Sequence, residues 1–179
     1  MSSSSTIVDV LMSTDVKIRR QITYWAATAA IYSGCFVLIW LQVRIGKSYS
    51  SHALGLTLYG YSGLLISYLL IRLSKQLKLS PSQLAIFQGY FAISIVVVAY
   101  ATMGSARGAS LTILLVIQMF CAFTLDPRKF RWISAFTIGL LGSTMLWKVN
   151  TDPTHFPVTQ EIVHFSLAAL MLFVSAFLI

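Results

Sequence analysis

The sequence predicts an all-α membrane protein: a bundle of about six transmembrane helices with both ends on the cytoplasmic side. Three observations predict it. First, 57% of the 179 residues are hydrophobic, only 10% are charged, and mean hydropathy is +0.79, whereas soluble domains average roughly 45–50% apolar and about 25% charged residues. Second, the apolar residues fall in blocks close to the length of about 20 residues that a bilayer-spanning helix needs. Third, the basic residues sit in short runs between those blocks. That placement also removes the function class first suggested by the net charge of +8. No nucleic-acid partner is expected, because cations that punctuate apolar segments orient a protein in a membrane.

The elements follow in order. Residues 1–20 form a polar, Ser-rich cytoplasmic segment, with a short interfacial helix expected at 7–12. It is not expected to be a signal peptide, because the apolar block starts too late and no convincing small-residue cleavage site follows. Residues 21–179 form the six-helix membrane domain. The first span covers 21–43, after Lys17, Arg19 and Arg20. The second covers 53–71, after a loop with Arg44, Lys47 and His52. A basic connector with Arg72, Lys75 and Lys78 then ends in Ser80-Pro81-Ser82-Gln83. Ser80 suits a helix N-cap, Pro81 the first helical position, and Gln83 a reciprocal bond to the cap amide. The third span therefore runs from 81 to about 104.

Gly104-Ser105-Ala106-Arg107-Gly108 reads as a tight turn. The fourth span covers 109–125. Asp126-Pro127 is expected to break the chain before Arg128, Lys129 and Arg131. The fifth span covers 132–149, and a loop with Pro153 and Pro157 leads to the sixth, which starts near 159 and is still apolar at Ile179. The native protein is expected to continue into the cytoplasm. Cys35 and Cys121 lie singly inside apolar blocks and read as packing residues.

Orientation follows from the distribution of Lys and Arg. Nine of the 13 fall on one side: Lys17, Arg19, Arg20, Arg72, Lys75, Lys78, Arg128, Lys129 and Arg131. The other four are Arg44, Lys47, Arg107 and Lys148. The positive-inside rule makes the first side cytoplasmic. The tryptophans agree: Trp25 and Trp132 fall near cytoplasmic ends, Trp40 and Trp147 near outer ends. Each pair spans about 22 Å of helix, close to the separation of two interfacial aromatic belts.

Polar residues at membrane depth are costly and mark candidate sites. All three histidines, two of the five acids and Arg107 are expected at the outer face. Glu161 and His164 share a face of the sixth helix at i, i+3; Asp152 and His155 lie just before it. Three readings stand. Arg107 and Glu161 pair and pin the loops; or Arg107, His155, Glu161 and His164 bind a small molecule; or a Glu-x-x-His pair serves a metal or proton site, for which one copy is weak support. No cofactor or metal is assigned. Gln88 and Gln118 are placed to hydrogen-bond between helices or subunits. Tyr59, Tyr61, Tyr68, Tyr90 and Tyr100 either line a pocket with hydroxyl handles or pack. Ala26, Ala27, Ala29, Ala30 and Gly34 would let another helix approach closely.

Three stretches carry a resemblance. They are the turn Tyr100-Ala101-Thr102-Met103-Gly104-Ser105-Ala106-Arg107-Gly108, the run Asp152-Pro153-Thr154-His155-Phe156-Pro157 leading to Gln160-Glu161 and Ile162-Val163-His164-Phe165, and the entry Ile18-Arg19-Arg20-Gln21. With the span pattern, they resemble the N-terminal membrane module of bacterial diguanylate cyclases, the GGDEF-domain proteins. The resemblance implies the bacterial inner membrane and a sixth helix that continues as a signalling helix. It implies a parallel homodimer, and a small apolar or amphipathic signal that regulates a cytosolic cyclase. Tyr100, Gln88 and Gln118 join the outer cluster as candidate ligand residues. The chain contains no Gly-Gly-Asp/Glu-Glu-Phe run, so as given it is not expected to be an enzyme; any cyclase activity would belong to a further domain. Two rivals remain: a small-solute transport subunit, opposed by the few charges in the spans and the lack of an internal repeat, and the sensor of a histidine kinase.

Overall fold

The computed structural model describes the backbone of residues 15–46, 48–104 and 107–178. Among these residues there are six helices and no strand: α1 (Val16–Arg44), α2 (Ser50–Leu73), α3 (Pro81–Thr102), α4 (Arg107–Thr124), α5 (Pro127–Thr151) and α6 (Val158–Leu178). All six are long and apolar enough to cross a membrane. The shortest, α4, has 18 residues, or about 27 Å at 1.5 Å per residue. The α1–α2, α3–α4 and α5–α6 turns share one face of the bundle, and the α2–α3 and α4–α5 turns share the other. The stretch expected to form an interfacial helix, 7–12, lies outside the described residues.

The start of α3 follows its local chemistry. The Ser80 side chain accepts from the Gln83 amide at 3.2 Å, and the Ser80 amide donates to Gln83 Oε1 at 2.8 Å. Pro81 occupies the first turn. The same rule corrects the expected start of the fifth span. Pro127 does not open a loop; it starts α5, with Asp126 at the cap position. A proline in the first turn has no amide to leave unpaired, so the helix begins five residues before Trp132. Arg128, Lys129 and Arg131 therefore stand on its first turns, exposed around the buried Phe130. α1 also begins earlier than expected, at Val16. Asp15 precedes it, accepting from the Ile18 amide at 3.4 Å and pairing with Lys75.

α3 is the most buried span and α1 the least. α3 packs against α2, α4 and α5; α6 lies against α4 and α5; α1 lies along α2. Two glycines on one face of α2 set its approach. A Cβ at Gly63 would meet the Phe91 ring of α3 at 1.8 Å, and one at Gly60 would meet Phe36 of α1 at 2.1 Å and Ile95 of α3 at 2.8 Å. Bare backbone at these points brings three helices close enough for dispersion contact, the main source of helix association where lipid is as apolar as the side chains. The expected small-residue face of α1 finds no such partner: Ala26, Ala27, Ala30 and Gly34 are exposed, with nothing within 4 Å of a Cβ at Gly34.

Candidate functional site

Two turns on the same face build the principal site. At the end of α3 the chain reverses through Gly104, whose φ of +51° lies in the left-handed region that glycine adopts without strain. This places Arg107 as the first residue of α4, below Tyr100 near the end of α3. After α5, Asp152 organises the second turn. Its Oδ1 accepts from Thr154 Oγ1 at 3.0 Å and contacts His155 Nδ1 at 2.8 Å, and its carbonyl accepts from the Phe156 amide at 3.0 Å. Phe156 is driven inward and buried. Pro157 then leads into α6, whose first turns carry Gln160, Glu161 and His164.

The side chains converge in the interior. Arg107 is 5% exposed, Glu161 3% and Tyr100 not at all, so these groups must satisfy one another. Arg107 Nε donates to Glu161 Oε1 at 3.1 Å, Nη2 to Gln160 Oε1 at 2.9 Å, and Nη1 to the Gly104 carbonyl at 3.2 Å. The guanidinium also lies 4.6 Å from the centroid of the Phe156 ring, a cation–π arrangement. The other carboxylate oxygen, Oε2, accepts from the Tyr100 hydroxyl at 2.6 Å. That hydroxyl also contacts His164 Nδ1 at 2.9 Å. A phenol has one proton. With it committed to the carboxylate, His164 Nδ1 is the donor in the second contact. The result is a chain of bonds from His164 through Tyr100 and Glu161 to Arg107, joining α3, α4 and α6.

A second polar cluster lies deeper. Gln118 of α4 donates to Thr137 Oγ1 of α5 at 2.6 Å and accepts from Ser134 Oγ at 3.4 Å. Gln118 is eleven residues beyond Arg107, so the two clusters are about 16 Å apart along the helix.

The expected residues therefore divide. Arg107, Glu161, His164 and Tyr100 come together, with the Arg107–Glu161 pair formed as expected. His155 stands apart, exposed and bonded to Asp152. Asp152 lies outside the spans, and the hydrogen bond from the His155 side chain, with those from Thr154 and the backbone, holds its carboxyl below the ordinary range. Gln118 bonds within the chain, leaving Gln88, half-buried on α3, with no side-chain hydrogen bond to another described residue. The tyrosines have separate partners: Tyr68 packs on Trp25, Tyr59 on Phe91, Tyr90 on Phe136, and Tyr61 bonds to Ser33. Among the described residues no group of three or more His, Cys, Asp or Glu side chains could hold a metal ion. Gln160, Phe156, Ser134 and Thr137 were not expected as partners. Gln160 borders Glu161 in sequence, but nothing local indicates that Arg107 spans both.

The fold and this interior define a multi-pass helical membrane protein with a buried ion pair close to one face. Compared with known protein families, characterised proteins and solved structures, the chain matches none.

Proposed function

We propose that the chain is the sensory and dimerising membrane module of a bacterial inner-membrane diguanylate cyclase. A small apolar or amphipathic signal, bound near the outer leaflet, shifts α6, and α6 sets the activity of a cytosolic catalytic domain. The observation that supports this best is the grip of α3 and α4 on α6. Glu161 and His164 are held by Arg107 and Tyr100, so a change at the outer cluster bears directly on the helix that leads to the output. A ligand acts as a signal only if it binds two states with different affinity. A buried ion pair supplies two such states, since its partners are favourable together and costly apart. α6 also keeps a broad exposed apolar face, including Leu167, Met171 and Val174, suited to a parallel second copy.

The native residues after Ile179 provide the first test. A cyclase motif agrees with the proposal, a kinase domain assigns the same sensor to another output, and a stop codon favours the transport subunit. In the full-length protein, Arg107→Ala, Glu161→Gln and His164→Ala are expected to shift cyclic di-GMP made per protein molecule in intact cells by several-fold. The purified catalytic portion retains its activity. Wild-type output per molecule in all three variants, at normal membrane abundance, would overturn the proposed role of the cluster.

A further inference from the structure

A groove of about 500 Å³ runs between α1 and α2, away from the Arg107 cluster. Its size falls in the usual range for small-molecule sites, about 300–1,000 Å³. Its long wall extends along α1 from Ser33 to Arg44, which is about 16 Å. That shape suits a chain rather than a compact ring system. Phe36, Val37 and Leu41 make the wall apolar, and Val37 and Leu41 stay largely exposed. The groove is therefore open along its side to the hydrocarbon phase.

The polar groups inside the groove are already matched to each other. Ser33 Oγ and the Tyr61 hydroxyl lie 3.1 Å apart, and Trp40 Nε1 donates to Thr57 Oγ1 at 3.2 Å. They leave the body of an occupant nothing to bond, so that body is apolar. Arg44, at the turn end, differs. The carboxylates of the described residues are engaged elsewhere: Asp15 with Lys75, Asp126 with Lys129, Asp152 with His155 and Glu161 with Arg107. None of them pairs with Arg44, which stands at the mouth of the groove one turn beyond Trp40. A cation above an apolar slot at the level of an interfacial tryptophan matches an amphiphile with an anionic head.

We propose that the α1–α2 groove binds one anionic phospholipid of the adjacent leaflet, with an acyl chain along Phe36, Val37 and Leu41 and the headgroup on Arg44. Lateral opening favours a bilayer lipid over a free acid: the lipid enters from the leaflet, and its second chain remains outside. The site is independent of the proposed cyclase output, and its test needs no catalytic domain.

The test reads Trp40 directly. The protein is reconstituted in vesicles of phosphatidylcholine and phosphatidylglycerol, one or the other brominated in its chains, at equal mole fraction. Quenching lost in Trp40→Phe measures Trp40; quenching lost in Trp147→Phe measures an interfacial tryptophan outside the groove, with Lys148 Nζ 5.2 Å from its ring. Trp40 is expected to be quenched more by brominated phosphatidylglycerol than by brominated phosphatidylcholine. Arg44→Gln lowers that preference about fivefold, the factor corresponding to one basic side chain at an anionic surface. Arg44→Lys keeps most of it, and the ratio at Trp147 does not change with Arg44. Equal quenching by the two lipids at Trp40, the same preference at Trp147, or a preference that survives Arg44→Gln would overturn the proposal. So would a brominated fatty acid that quenches Trp40 at low mole fraction and abolishes the phosphatidylglycerol effect, because the ligand would then be a free acid.

Discussion

The N-terminal hairpin and the four C-terminal helices hold together in different ways. Between α1 and α2 the directional contacts are mostly aromatic: Trp25 on Tyr68 and Phe36 on Tyr61, each at 5.1 Å between centroids, the Trp25 indole donating to the Leu64 carbonyl at 2.9 Å, and Ser33–Tyr61 and Trp40–Thr57 bonds at an exposed edge. Among the four helices α3 to α6 they are polar and interior: Arg107 with Glu161, Tyr100 with Glu161, Gln118 with Thr137. A polar bond buried in low dielectric specifies one arrangement, because losing either partner strands the other. A contact at the lipid edge has substitutes in water and headgroups. The C-terminal helices are thus built to hold one register against strain, whereas the hairpin presents its surface to the bilayer.

The largest expected effect separates the two regions by a single arginine in each. Arg107→Ala leaves Glu161 buried without its cation and should destabilise the protein by about 3–5 kcal/mol, as for other broken buried pairs. Arg44→Ala should change stability little, because its side chain is exposed. Thermal unfolding in nanodiscs of uniform, zwitterionic lipid makes the comparison. A double variant, Arg107→Met with Glu161→Met, should recover much of the loss, since no lone charge remains. If Arg44→Ala costs as much as Arg107→Ala, the distinction between the regions is wrong.

Glycines give the next contrast. Gly63→Ala drives a methyl into the Phe91 ring, and overpacking of this kind costs about 1–3 kcal/mol. Gly34→Ala meets nothing within 4 Å and should be neutral or gain the helix preference of alanine, about 0.5–1 kcal/mol. Phe91→Leu should relieve Gly63→Ala if the ring is the obstacle. Additive losses in that pair would place the strain elsewhere.

The difference between the regions also governs what can be read from the sequence. The six spans were legible because a bilayer imposes a length of apolar helix that composition alone reports. The Ser80–Gln83 cap was legible because its donors and acceptors lie within four residues. The Arg107–Glu161 pair could be expected from orientation: both charges fall at one face, and neither is stable alone in hydrocarbon. Its further partners were legible only in part. Tyr100 stood with this cluster as a candidate ligand residue, but nothing local showed that its hydroxyl would bridge Glu161 and His164. Thr137 and Ser134 carry no signal, since short hydroxyl side chains in a membrane helix ordinarily bond back to their own backbone, as Thr137 also does with the Ile133 carbonyl at 2.8 Å. The start of α5 was misplaced because Asp-Pro can end one helix or begin the next, and the buried contacts of Phe130 decide between them.

A smaller effect tests the mid-membrane cluster. Gln118→Leu and Thr137→Val, alone and together, form a double-mutant cycle. The coupling should be about 0.6 kcal/mol, the average for hydrogen bonds between membrane helices. That value is well below the Arg107–Glu161 loss, because a neutral amide strands no charge. Coupling as large as for the ion pair would put the structural centre of the four-helix region at Gln118, and zero coupling would mean the Gln118–Thr137 bond adds nothing to stability.

The smallest effect lies outside both regions' interiors, in the turn that leads to α6. Asp152 accepts from Thr154 and His155 in an exposed loop. These bonds favour the charged carboxylate, the His155 side chain most of all, and hold its titration below the ordinary value of 3.8. The folded value being the lower one, the stabilisation is fully present above the unfolded value and is lost as pH falls through the folded one. Asp152 therefore contributes no change in stability near neutral pH. Following the Asp152 side-chain carbon by NMR in micelles should give a midpoint below that ordinary value. In His155→Ala the midpoint should rise toward it, with unfolding of the spans unchanged, because Phe156 and Pro157 still direct the chain into α6. A midpoint indifferent to His155 would show that the turn is held by its backbone and by Thr154. His155 would then be free of any structural duty in that turn.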